Sequence, residues 1–440
     1  MYTKPAPATQ QTFFFSLADT LDRGHPLFVL ANKIEWGAFE EAFGKLYSPD
    51  FGRPCKPVRL MVGLLILKYV RNLSDESVVG QWGENCYYQH FCGNAQFVPA
   101  APCDASELVR FRDRIGEAGV ELILKESVRV NGDDGKEPDI SVDTTVQEKA
   151  ITFPTDAKLH RKIVAKCKGI AERESIALRQ SYTRTLKRLA LDQRFRNHPR
   201  NWKKARKADR KAKTIAGRLV RELARKLPAQ SPWHKALALF ARVLSQKKGD
   251  TGKVYSLHEP EVCCIAKGKE HKKYEFGNKV CVAYTKTTGV ITGMLSFRNP
   301  YDGHTLEAVL AQHGRLTGAR AATATCDRGF KGEKEVGGTA IQVPDSGREG
   351  RGEYATRKLR RDFRRRAAIE PLIGHAKADH RLGRNFLGGV AGDAVNAMLA
   401  AAAFNFKRFM NGLKRPLSLF VRIFLRHLAP PAACHHAHAA

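Results

Sequence analysis

The chain has 440 residues, 43% of them hydrophobic and 27% charged, a globular balance that excludes a disordered chain and allows two or three domains with a sizeable core. Lys and Arg number 75 against 44 Asp and Glu, so the formal net charge is +31. A surplus of that size points to a polyanionic partner, DNA or RNA before a membrane surface.

No apolar run reaches the length of a spanning helix, and MYTKPAPATQQTFFFSLADTL lacks a secretory pattern. The ten cysteines form no paired CxxC units, which fits reduced thiols in a cytoplasm. Cys86, His90 and Cys92 are the nearest approach to a zinc cluster and lack a second half.

Residues 1–135 read as helical. Pro57 stands near the start of one helix, which breaks at Asn72-Leu73, and Ser74 is placed to cap the next. A short segment stops at Gly93, and Asp104-Ala-Ser-Glu107 forms a capping box before a periodic run. These helices suit either a helix-turn-helix reader of DNA or a bundle packed on the rest of the chain. The texture then changes at PDISVDTTVQEKAITFP (138–154), where alternation predicts a strand followed by a return strand.

Residues 158–226 turn basic and helical, with 24 Lys and Arg against 5 Asp and Glu. The densest part carries Lys203, Lys204, Arg206 and Lys207, a pattern that favours phosphate contact over a merely solvated face. Core packing is the expectation for the flanking Trp202 and Trp233. KYEFGNKVCVAYTKTTGVITGMLSFRN (273–299) predicts a hairpin turning at Thr288-Gly289. NPYDGHTLEAVLAQHGRL then predicts a turn and a helix capped by Asp302 or Thr305. RAATATCDRGFKG predicts a buried strand ending at Asp327 with a turn at Gly329, and GGTAIQVPD one more short strand. From about Tyr354 the chain reads as helical, ending in a basic amphipathic tail and a frayed CHHAHAA.

Three acids sit where a sheet and its closing helix could gather them: Asp143 inside a strand, Asp327 at a strand end and Glu370 on a helix. Hard cations take such oxygen ligands and bridge phosphates. Glu370, alone among arginines in RRRAAIEPLIGHAK, could equally be a solvated ion-pair partner. On a helix Arg366, Glu370 and Lys377 share one face, but Pro371 demands a kink or a helix start there. His304 and His375 read as surface histidines and Glu148 as an ion-pair partner. Arg328 suits either a phosphate contact or charge balance.

VDTTVQEKAITFPTDAKL, KYEFGNKV, NPYDGHTL, CDRGFKG and IEPLIGHAKADHRLGRNFLGG together resemble the DDE transposases of bacterial insertion sequences, in the insertion-sequence-five group. Arg366, Glu370 and Lys377 match the spacing of that group's signature, with Phe363 where a tyrosine is expected. The resemblance implies an RNase H-like catalytic domain, a mixed central sheet flanked by helices, over 136–157 and 249–390. It implies a helical N-terminal domain over 1–135 for DNA ends, a basic helical insertion over 158–248 following the second strand, and C-terminal helices and tail over 391–440. It also implies Asp143, Asp327 and Glu370 as ligands of two Mg²⁺ ions, with Mn²⁺ able to substitute, and Arg366, Lys377 and Arg328 against DNA. The implied reaction is hydrolysis at inverted terminal repeats and joining of the freed 3′-hydroxyl to target DNA by a homo-oligomer, a dimer on the DNA at the bacterial nucleoid. A nuclease of the same fold without strand transfer and a catalytically silent DNA-binding protein are the rival readings.

Overall fold

The computed structural model describes residues 16–48, 50–247, 249–266, 272–344 and 368–428, with side chains as far as Leu413. The N-terminal third contains α1 (Leu17–Thr20), α2 (Pro26–Lys33), α3 (Trp36–Gly44), α4 (Val58–Val70), α5 (Asp75–Trp82), α6 (Cys86–Phe91) and α7 (Ala105–Val130). Their boundaries follow local chemistry. Asn72 adopts a left-handed φ of +56° after α4. The Ser74 hydroxyl then accepts from the Ser77 amide at 3.0 Å, and Asp104 and Glu107 complete a reciprocal capping box at the start of α7. Helix α4 is buried on almost every side, so it belongs to the core and has little surface to offer DNA.

Strand β1 (Asp139–Lys149) follows. Ile140, Val142 and Val146 on one face and Ser141 and Thr145 on the other are all buried, so β1 is a central strand with neighbours on both edges. The return strand expected before Pro154 does not form. Instead Thr155 caps α8 (Asp156–Arg173), its hydroxyl accepting from the Lys158 amide at 3.3 Å. The antiparallel partner comes from far along the chain, because only a long strand could cover so long an edge. It is β3 (Tyr274–Thr285), in register from Ile140 opposite Thr285 to Glu148 opposite Gly277. Any side chain at Gly277 would collide with the Gln147 carbonyl, which explains the glycine inside KYEFGNKV.

Between β1 and the next strands lie α8, α9 (Thr183–Asp192), α10 (Trp202–Lys226) and α11 (Trp233–Ser245). Leu159, Ile163, Ile215, Leu219, Leu223 and Phe240 give them an apolar core of their own. This basic insertion follows the first strand of the sheet rather than the second: a single long β1 leads directly into α8.

The sheet is completed by β2 (Cys263–Ala266), β4 (Ile291–Phe297), β5 (Thr323–Thr325), β6 (Glu335–Val336), β7 (Thr339–Gln342) and β8 (Arg384–Asn385). Its order is β2-β3-β1-β5-β7-β6, with β4 also on β3 and β8 also on β1. The β1–β3 and β3–β4 pairs are antiparallel, whereas β1–β5 and β5–β7 are parallel. Gly289, at φ +73°, turns the β3–β4 hairpin where expected. Helix α12 (Leu306–Thr317) packs on β4. Neither Asp302 nor Thr305 caps it: the Thr305 hydroxyl donates to the Asp302 carbonyl at 2.7 Å. The chain ends with α13 (Ile369–Asp379) and α14 (Gly389–Leu428). Val280, Val282 and Tyr284 on one face of β3 share a continuous apolar core with α2 to α7, α13 and α14. The frayed tail expected at CHHAHAA lies outside the described residues.

Candidate active site

Asp143 lies mid-way along β1. The second edge of β1 is paired only near its ends, residues 139–141 with β5 and 148–149 with β8, which leaves the stretch around Asp143 beside the end of β5. Ser141 stands opposite Thr325, the last recorded pair of this parallel ladder, and a register continued by two residues would set Asp327 level with Asp143. Adjacent strands run about 4.8 Å apart. Sequence separation says nothing about this proximity; the parallel pairing creates it.

Backbone donors orient both carboxylates. The Thr144 amide donates to Asp143 Oδ1 at 2.7 Å, and the Gly329 amide to Asp327 Oδ1 at 2.8 Å. The second of these caps a 3₁₀ turn over Arg328–Phe330. Arg328 is exposed on that turn.

The third acid, Glu370, is exposed in the first turn of α13, with Pro371 next to it where a missing N–H costs little. Ile369, Leu372 and Ala376 of α13 pack into the core that contains Val280 and Val282. Val282 is the cross-strand partner of Asp143, so α13 covers the face of the sheet on which Asp143 lies. Lys377, seven residues after Glu370, falls near the same face of α13. Arg366 and Phe363 lie outside the described residues. Among the described residues no three His, Cys, Asp or Glu side chains are gathered tightly enough to hold one metal ion. The fold therefore sets Asp143 and Asp327 each two residues past the same parallel pair and puts the helix of Glu370 over the Asp143 face, without gathering the three acids.

A fourth acid, Asp302, one of two residues expected to cap α12, makes no cap and is bonded elsewhere. Asp302 Oδ1 accepts from Lys279 Nζ at 2.7 Å and from the Thr144 hydroxyl at 3.2 Å. A Cβ placed on Gly329 would lie 2.7 Å from Asp302 Oδ2 and 2.9 Å from Asp327 Oδ1, so the two carboxylates converge on that glycine. The signal for this role was Lys279, the one basic residue of β3, which requires a partner when mostly buried. Cys281 sits close by, but burial above all pushes its thiol up to about 12. It stays protonated at neutral pH and is no nucleophile.

The remaining candidates separate cleanly. Lys203, Lys204, Arg206 and Lys207 are exposed on α10, opposite a buried stripe that includes Ala208, Ala212, Ile215 and Leu219. Trp233 packs against the core of the insertion, whereas Trp202 is 42% exposed and not core, because it precedes the first buried position of α10. His375 pairs with Asp379 at 2.8 Å on the surface of α13, and His304 is exposed beside Tyr301. His90 stacks on Phe28 and Cys92 is buried, which suits packing rather than zinc.

Residues 15–114 match the family model described as "Transposase domain (DUF772)". The uncharacterized protein ORF8 in the nfe locus of Rhizobium meliloti is 43% identical over 205 residues, which cover 46% of this chain and 99% of that protein. The chain belongs to that protein's family. No solved structure matches it. The transposase-domain match spans the helices from α1 into α7. Among the described residues no helix is long and apolar enough to cross a membrane.

Proposed function

We propose that the chain is a DNA transposase that cuts at the inverted terminal repeats of an insertion sequence and joins the freed 3′-hydroxyl to target DNA by a DDE mechanism. The observation that carries the reading is the parallel pairing of Ser141 with Thr325, two residues before Asp143 and Asp327 respectively, with α13 over the Asp143 face, in a chain whose residues 15–114 match a transposase domain. The strand order also supports it. Antiparallel β4-β3-β1 continued by parallel β5 and β7 is the arrangement expected of an RNase H-like sheet.

The donors suit magnesium or manganese in kind, being carboxylate oxygens oriented by backbone amides. Asp143 and Asp327 would hold the ions, with Glu370 completing the set from α13. Two such ions, when bound, activate an attacking oxygen and stabilise a leaving one in phosphodiester displacement. The chain's own contribution is placement. Lys279 neutralises Asp302 and so limits repulsion among the acids, while Lys377, Arg328 and Arg366 are assigned to phosphates of the bound end. Two ends must be cut together, so the working form on DNA is taken to be a dimer.

The test uses a supercoiled plasmid carrying the gene with its native flanks, purified protein with and without magnesium, and a Glu370→Gln control. Paired cuts at the flanks with joining to new sites, absent from the control, are the expected products. Cutting without joining would replace this reading with a nuclease. Binding with no cutting would leave a DNA-binding protein.

A further inference from the structure

The turn between α9 and α10 displays apolar side chains that no packing explains. Phe195 is 78% exposed, Leu191 58% and Trp202 42%, and they stand among Arg194, Arg200 and Lys203, all exposed as well. Phe195 also holds a left-handed φ of +51°, a conformation unfavourable for an aromatic residue and worth noting where it persists.

The tip is nonetheless built. Gln193 Nε2 donates to Asp209 Oδ1 at 2.8 Å, and Arg196 Nη2 donates to both oxygens of the same carboxylate at 2.9 and 2.7 Å. Lys204 pairs with Asp192 at 3.0 Å. These contacts tie the turn to the first turns of α10 and hold Phe195 outward. They also engage both acids of the tip, so the field around Phe195 is strongly positive. The cations of Lys203 and Arg206 lie 5.7 and 5.6 Å from the centre of the Trp202 ring.

An outward apolar side chain on a pinned turn, ringed by cations, has the composition of a wedge that enters a base step while its neighbours hold phosphates. We propose that the α9–α10 tip kinks duplex DNA by inserting Phe195 between adjacent base pairs, with Arg194 and Arg200 on the flanking phosphates. The inference rests on the reading of the chain as acting on DNA and adds how the basic insertion grips it. It does not depend on the acids of the sheet.

The experiment uses the full chain and a closed circular plasmid, relaxed by a metal-independent topoisomerase without divalent ions so that no cutting intervenes. A wedge unwinds the step that it enters, so bound wild-type protein is expected to shift the linking-number distribution in proportion to occupancy. Phe195→Ala is expected to lose most of that shift while keeping the salt dependence of binding, and Phe195→Trp to retain it. A wild type that binds without a shift, or a Phe195→Ala variant that shifts the plasmid fully, overturns the wedge. So does a DNA-free dimer, seen by sedimentation, that Phe195→Ala dissociates without changing topology, since the occupant is then a second copy. A clear shift from a protein that neither cuts nor joins its native flanks upholds the wedge and overturns the transposase reading alone.

Discussion

Asp327 shows how little of a site one residue carries. Its carboxylate is useful because β5 ends two residues earlier, because Gly329 lets both Asp302 and an amide approach, and because Asp143 lies level across a parallel pair. Replacing it with alanine removes one of the two aligned acids without disturbing buried packing. Asp327→Ala should lower plasmid cleavage by at least about 100-fold, while filter binding at fixed salt stays within about twofold. Parallel loss of both, with an unchanged circular dichroism spectrum, would show that Asp327 serves binding. Asp143 could be singled out in the sequence because it sits inside an alternating strand opposite its apolar residues, and Asp327 because it ends a small-residue strand. Asp302 was misassigned because a turn aspartate before a helix is normally a cap, and only the fold shows Lys279 reaching it.

At the scale of the element, α10 is the clearest case of sequence dictating form. Alanine and aliphatic residues recur at helical spacing with Lys and Arg between them, and the helix buries the first set and exposes the second. The pattern says that one face is wet and cationic; it does not say what meets it. Neutralising Lys203, Lys204, Arg206 and Lys207 together should reduce the slope of log K against log salt by up to about four, near one per phosphate contact. Lys204, already paired with Asp192, should contribute least. A slope that does not move would remove this face from the DNA interface. The return strand expected after β1 failed for a related reason: alternation identifies a strand but not its partner, and β1 pairs with a segment beyond the whole insertion.

Across the whole molecule, burial of histidines ties stability to pH. His313 is buried, its Nδ1 against the Thr292 hydroxyl at 2.9 Å, and burial lowers it from 6.5 to about 4. Burial lowers His160 and His380 as well. The folded chain keeps these rings neutral while the unfolded chain protonates them below about 6.5. Their contribution is therefore complete above that pH and is lost as pH falls toward the folded value. Urea unfolding should show His313 alone removing about 2 kcal/mol between pH 7.5 and pH 5, and His313→Asn should flatten that part of the loss. An equal loss in the variant would assign the acid sensitivity elsewhere. The sequence by itself determined the net charge, most of the helical and extended segments, the caps at Ser74 and Asp104 and the basic face of α10. All of these depend on neighbours within a few residues or on composition. Tertiary structure alone decided which strand lies beside β1, that Asp143 and Asp327 each follow one parallel pair by two residues, that Asp302 bonds Lys279 and Thr144, and that the N-terminal helices share a core with the sheet. Those facts depend on pairings between distant segments, and no local periodicity encodes its partner.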